Sequence, residues 1–214
     1  MKKLKPTETL TEQAYRVIKQ AIINNEFEPD EVLAEEHLAE DLGISRTPIK
    51  AALKQLEFDG LVDLKTGRKA RVSKISLNDL NDIQVLRESL ETLATRLAAK
   101  KVEEQQLVKL EGICAQQRQA IVEDDYSKFI ELDNDFHFEI ADISGNEQLK
   151  KYIVNLSHQV QRFLILSDTL QGSAAGAVDE HLQIIEALRN KNPIKAEEQM
   201  LLHVQNVTKR ILAQ

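Results

Sequence analysis

Apolar residues recur along most of this chain with the period of an α-helix. Leu10, Ala14, Val17, Ile18, Ala21 and Ile22 share one helical face, with Thr7 or Thr9 placed to cap its start. The stretch 27–32, which contains Pro29, breaks this helix. A short second helix is expected over 34–42. Gly43 stops it, as a residue that tolerates the left-handed conformation can. Ser45 can cap a third helix, with Pro48 in its first turn, and Ile49, Ala52, Leu53 and Leu56 form its apolar face. After Gly60 the period shortens to that of strands. Leu61-Val62-Asp63-Leu64 and Ala70-Arg71-Val72 read as a hairpin around a Thr66-Gly67 turn.

Beyond Val72 the strand pattern disappears. Ser76 reads as an N-cap, and Leu77, Leu80, Ile83, Leu86, Leu90, Leu93 and Leu97 form a long helical stripe. Further helices are expected over 103–122, 126–143, 146–169, 178–190 and 193–212, separated by Asp124-Asp125, Ser144-Gly145-Asn146, 170–177 and 190–193. The expected fold is mostly α. A winged helix-turn-helix at 8–76 precedes an antiparallel all-helical bundle of about six helices at 77–214. Composition agrees, since 7 Gly and 4 Pro among 214 residues are too few for the turns of a β-sandwich or barrel. No apolar run is long enough to span a membrane, and no apolar stretch follows the basic start MKKLKPTETLTEQ as a signal peptide would require. The single Cys114 excludes an intramolecular disulfide and a CxxC metal site, and suits a reducing cytoplasm.

A net charge of -7 seems at first to argue against a nucleic-acid partner. The distribution reverses that inference. Residues 1–76 hold 13 basic and 13 acidic side chains, and the remainder holds 15 and 22. Within the first part, residues 42–76 hold eight basic and three acidic side chains, a local +5. Arg46, Lys50 and Lys54 lie at i, i+4 and i+8 on the third helix, opposite the Ile49/Leu53/Leu56 face. Ser45, Arg46 and Thr47 stand at its start, where a recognition helix approaches base edges. Arg suits a bidentate contact with guanine, Thr a base edge or thymine methyl, and Lys50 and Lys54 the phosphates. Lys65, Arg68, Lys69 and Arg71 give the hairpin a basic wing. A basic stripe alone also describes a solvated face. The Gly turn, the capped helix and the basic hairpin together favour double-stranded DNA.

The segment LAEEHLAEDLGISRTPIKAALKQLEFDGLV, residues 33–62, resembles the DNA-binding motif of the GntR family of bacterial transcription regulators. The family pattern is close to LxExxLAxxLGxSRTPVREALxxLxxxGLV, and the resemblance covers residues 8–76. It departs at Lys50 and Ala51, which replace Arg and Glu. Glu36 stands where many members carry a DNA-contacting Arg, and Arg68-Lys69 follows the wing glycine. The resemblance implies a dimer reading a palindromic operator.

Four residues of the second part could converge. Asp133 and His137, at i and i+4, point the same way from one helix. His181 and His203 lie about equally far on either side of the turn between the last two helices, which sets them at one level of an antiparallel pair. One carboxylate and three imidazoles suit zinc first, then nickel, manganese or iron. Taken singly, each His reads more readily as an isolated surface or capping residue than as a ligand. His158 reads as an exposed helix residue, and His37 as structural.

Residues 77–212 are similar to the FCD ligand-binding domain of the FadR subgroup of GntR regulators. LRESLETLATRLAA (86–99) resembles its opening helix, LDNDFHFEIADISGNEQL (132–149) its DxxxFHxxIxxxSGNxxL segment, and EHLQIIEALRNKNPIKAEEQMLLHV (180–204) its ending. The resemblance implies Asp133, His137, His181 and His203 as metal ligands below a pocket for a small carboxylate effector. Arg87 falls at the Arg of the opening helix. Arg162 lies on a helix expected to face the interior, and both suit a carboxylate. Arg87 could instead form an ordinary i, i+4 salt bridge with Glu91.

These readings point to an effector-controlled, homodimeric DNA-binding regulator, a repressor in expectation, and not an enzyme. A regulator that senses the metal itself is the alternative. A metallohydrolase is disfavoured, because no HExxH motif or catalytic carboxylate pair supplies a general base.

Overall fold

The computed structural model describes residues 8–64, 69–167 and 174–212. The chain divides into two compact units, Met1–Ile75 and Ser76–Gln214.

In the first unit, α1 (Leu10–Ile23) starts at a capping box. Thr9 accepts from the Glu12 amide while Glu12 reaches back to the Thr9 amide, so two otherwise unpaired donors are satisfied. The short α2 (Glu35–Asp41) and α3 (Arg46–Phe58) follow, joined by a turn at Gly43, whose φ of +64° favours glycine. Ser45 occupies the N-cap position of α3, yet its side chain makes no capping hydrogen bond. Ile18, Ile22, Ile49, Leu53 and Leu56 are buried together, so the apolar faces of α1 and α3 close on one core. Tyr15 donates to Asp59, and Lys19 Nζ lies 3.2 Å from the same carboxylate, tying α1 to the end of α3.

The hairpin becomes part of a three-stranded antiparallel sheet. Strands β1 (Val32–Leu33), β2 (Val62–Asp63) and β3 (Ala70–Val72) lie in the order β1-β3-β2. Val32 sits opposite Arg71, and Val62 opposite Val72. The pattern of apolar positions does not announce β1, because two residues are too few to show alternation and their partner is distant in sequence. The strand expected over 61–64 is shorter for the same reason.

The second unit contains six helices among the described residues: α4 (Leu77–Ala98), α5 (Glu104–Val122), α6 (Tyr126–Ile143), α7 (Glu147–Ser167), α8 (Ala174–Arg189) and α9 (Pro193–Leu212). Ser76 and Asp79 form a second capping box at the start of α4. Helix α8 begins four residues before the expected 178, because Ala174, Ala177 and Val178 are all buried. Gly145, at φ +68°, ends α6 where Lys101 Nζ donates to the Ser144 carbonyl at 2.6 Å. A Cβ there would meet Lys101 Nζ at 2.7 Å. The core of this unit runs from Leu80 and Ala98 through Leu110, Phe136, Ile140 and Ile184 to Met200 and Val204. Among the described residues no helix is long and apolar enough to cross a membrane. His37 is exposed, and His158 is half-buried with its ring 5.7 Å from that of Phe138.

Candidate metal centre and nucleic-acid surface

The basic face of the first unit is built on α3. Ile49, Ala52, Leu53 and Leu56 anchor one side in the core, so the other side carries Ser45, Arg46, Thr47, Lys50 and Lys54 in solvent. Lys69 and Arg71 are exposed at the sheet, and Arg71 donates to the Asp30 carbonyl at 2.6 Å. Arg68, with the rest of 65–68, lies outside the described residues. Arg46 is forked between two acids of α2, with NH2 2.9 Å from Glu35 Oε2 and NH1 2.8 Å from Glu36 Oε1.

The second unit gathers Asp133 and His137 from α6, His181 from α8 and His203 from α9. The apolar stripes of these helices turn all three imidazoles inward, and each is buried. One nitrogen from each His lies within 4.8 Å of the others. His203 Nε2 is 3.3 Å from His137 Nε2. Asp133 closes the group, with its oxygens 3.8 Å from His137 Nε2 and 3.6 Å from His181 Nε2. The turn between α8 and α9 leaves the His181 and His203 ring centres 4.6 Å apart. Phe136 stacks on His181 at 3.9 Å and fixes that ring's plane.

Each imidazole is held from behind. His203 Nδ1 is 2.9 Å from Glu180 Oε2. His181 Nδ1 is 3.1 Å from Gln117 Oε1, whose Nε2 donates to Asp133 at 3.3 Å. His137 Nδ1 lies 2.6 Å from Glu91 Oε2, at ion-pair distance. Where Nδ1–H is aimed at an oxygen, as at His181 and His203, Nε2 is left as a bare lone pair; the His137–Glu91 contact is at ion-pair distance but not aligned as a hydrogen bond. These two nitrogens face His137 Nε2, and His181 Nε2 has no hydrogen-bond partner among the described residues. Lone pairs converging in a buried space repel unless a cation lies among them. Three imidazoles with one carboxylate form a donor set suited to a divalent first-row ion, so the residues fit the metal that the family resemblance implies.

The electrostatics agree. Burial pushes the His181 pKa well below its ordinary value, helped by His203 and His137. Burial likewise lowers that of His203, against the opposing pull of Glu180. Both rings are therefore neutral, as ligands must be. Burial opposes the charge of Glu180, yet Arg210, His203 and Asn206 outweigh it and hold its pKa at about 2. Glu91 is fully enclosed, and its burial penalty is overcome by Arg87 and His137. Glu91, Gln117 and Glu180 were not singled out as imidazole anchors from the sequence. Gln117 alone left a trace, as an amide in the apolar stripe of α5 with Leu110 and Cys114.

The structure brings Asp133, His137, His181 and His203 together. Arg87 is buried nearby, with Nε 2.5 Å from Glu91 Oε1 and NH1 3.3 Å from Gln84 Oε1. Arg162 is fully buried on α7, and burial lowers its pKa. It follows Gln161, which accepts from Asn134 at 2.7 Å, one residue past Asp133.

Comparison with known proteins joins the two units. Residues 10–72 match the model of the bacterial regulatory proteins of the gntR family, and residues 82–206 match the FCD domain. The chain is 28% identical over 208 residues to the HTH-type transcriptional repressor RspR of Escherichia coli strain K12, covering 97% of this chain and 91% of that protein. It is 31% identical over 194 residues to the HTH-type transcriptional regulator YdhC of Bacillus subtilis strain 168, covering 89% and 86%. The solved structure of E. coli McbR/YncC superposes with a TM-score of 0.83 at 21% identity, over 97% of this chain and 99% of that one, a likeness of fold.

Proposed function

This chain belongs to the bacterial GntR family and carries its FCD domain; it is a DNA-binding transcription regulator rather than an enzyme, and we propose that it is a metal-containing repressor released by a small carboxylate. The observation that carries the metal reading is the set of three buried imidazoles whose nitrogens converge within 4.8 Å, two of them hydrogen-bonded at Nδ1. Asp133, His137, His181 and His203 would hold the ion, zinc first. When bound, it would supply a Lewis-acidic position able to take a carboxylate oxygen. Arg162 would provide a second positive charge for that anion.

On the DNA side, Arg46 and Thr47 would meet base edges, with Ser45, Lys50, Lys54, Arg68 and Lys69 on the phosphates. The repressor sense rests on the name of RspR. A homodimer is supported by an apolar strip left open on the second unit, where Leu86 and Tyr152 are 51% and 60% exposed beside the half-buried Leu90, Leu93 and Leu97. Such a regulator works in the cytoplasm, where its operator is.

The test is operator binding by the zinc-loaded and metal-stripped protein, with and without a panel of small carboxylates. A carboxylate that weakens operator binding only in the loaded protein supports the reading. Metal alone changing the affinity would favour a metal sensor. No response to either overturns effector control.

A further inference from the structure

The geometry points to Arg87 and Glu91 as a positioning pair for His137, not as part of the effector-binding surface. This inference rests on the metal reading above. The two residues stand one turn apart on α4, 3% and 2% exposed. Glu91 divides its carboxylate. Oε1 takes Arg87 Nε at 2.5 Å, and Oε2 lies 2.6 Å from His137 Nδ1. The contact is at ion-pair distance without hydrogen-bond alignment, and the ring it bears on turns its Nε2 to His203 and Asp133.

A similar arrangement, there closed by a hydrogen bond to the imidazole, lies on the other side of the centre. Glu180 holds His203 Nδ1 at 2.9 Å, while Arg210 grips both oxygens of Glu180 at 2.7 and 2.8 Å. Two imidazoles are thus each backed by a carboxylate, and each carboxylate by a guanidinium. The repetition explains a buried Arg without invoking a ligand. A carboxylate enclosed in the bundle is costly unless paired, and Arg87 is the cation that compensates Glu91. An effector anion taking the Arg87 Nε–H would have to displace Glu91 and leave that carboxylate stranded beside His137. Arg87 therefore acts through Glu91, and Glu91 through the imidazole, as outer partners of metal ligands commonly do.

The test uses the full-length chain and Co²⁺, whose visible spectrum reports coordination and whose affinity is read by competition with a chelator. Glu91→Gln removes the charge at constant size. Arg87→Gln/Glu91→Gln together replaces the ion pair by neutral amides, so the fold is kept if the single variant is destabilised. Both are expected to lose roughly 10- to 100-fold in Co²⁺ affinity, with an altered spectrum. Arg87→Lys, which keeps the charge but not the planar fork, should lie between them and the unaltered chain. Unaltered affinity and spectrum in folded Glu91→Gln and double variants would overturn the pair while leaving the metal site standing. Failure of the unaltered chain to take up Co²⁺ would overturn the metal reading and the pair with it. Unfolding of both variants would make the pair purely structural and also overturn it.

Discussion

Replacing Gln117 by Leu keeps the bulk of that side chain but removes both of its amide contacts. His181 Nδ1 loses its 3.1 Å partner, and Asp133 loses a 3.3 Å donor. The imidazole is then free to carry its proton on either nitrogen, including the one that must bind metal. A fall of roughly 10- to 100-fold in zinc affinity is expected, measured by chelator competition. His203→Ala removes a ligand outright, and elemental analysis of the purified variant should show metal well below one ion per chain. That these four residues could meet was legible because their spacings are local: i, i+4 for Asp133 and His137, and equal steps from one turn for His181 and His203. The anchors were not legible. Glu91, Gln117 and Glu180 meet their imidazoles across helices α4, α5 and α8, and no periodicity records which helix packs against which.

Element by element, the starts of α1 and α4 followed from capping chemistry. Asp79 accepts from the Ser76 hydroxyl and amide, and these bonds hold its pKa below the ordinary 3.8. A lowered carboxylate pKa contributes stability above the ordinary value, and that contribution is lost as pH falls through the lowered one. Asp79→Ala should therefore destabilise α4 at pH 7 by about 0.5–1 kcal/mol in urea unfolding. The difference should shrink as the pH drops below about 4. In α3, the acids on Arg46 act against DNA, since each must release the guanidinium or sit near phosphate. Glu36→Gln should raise operator affinity roughly two- to fivefold, since an exposed pair is a weak competitor for the guanidinium. Titration by gel shift or anisotropy would show it. Lys50→Ala should instead reduce the slope of log affinity against log salt by about one. The start of α8 and the strand β1 escaped the sequence, because burial against distant residues set them rather than any local cap.

For the molecule as a whole, the charge pattern and the helical stripes already separated two parts with different work. The first unit gathers its basic side chains on α3 and the sheet. The second buries three imidazoles, with Glu91 and Gln117 beside them, at one centre. Asp133, His137, His181 and His203 come from three helices, so an ion among them would tie α6, α8 and α9 together. Metal at 100 times its dissociation constant stabilises by about 2.7 kcal/mol, which should appear as a rise of roughly 5–10 °C in Tm. Chelation should reverse it, and His203→Ala should show none of it.

The anchor on Glu91 gives α4 a mechanical aspect. This helix begins at Leu77, directly after the first unit ends at Ile75, and Glu91 lies 14 residues farther on. At 1.5 Å per residue that is an arm of about 21 Å. A rigid rod of that length, pivoting by about 3° at Glu91, carries its first turn sideways by about 1 Å. A small rearrangement at the imidazoles, if it turned α4 as a rod, would be enlarged at its first turn.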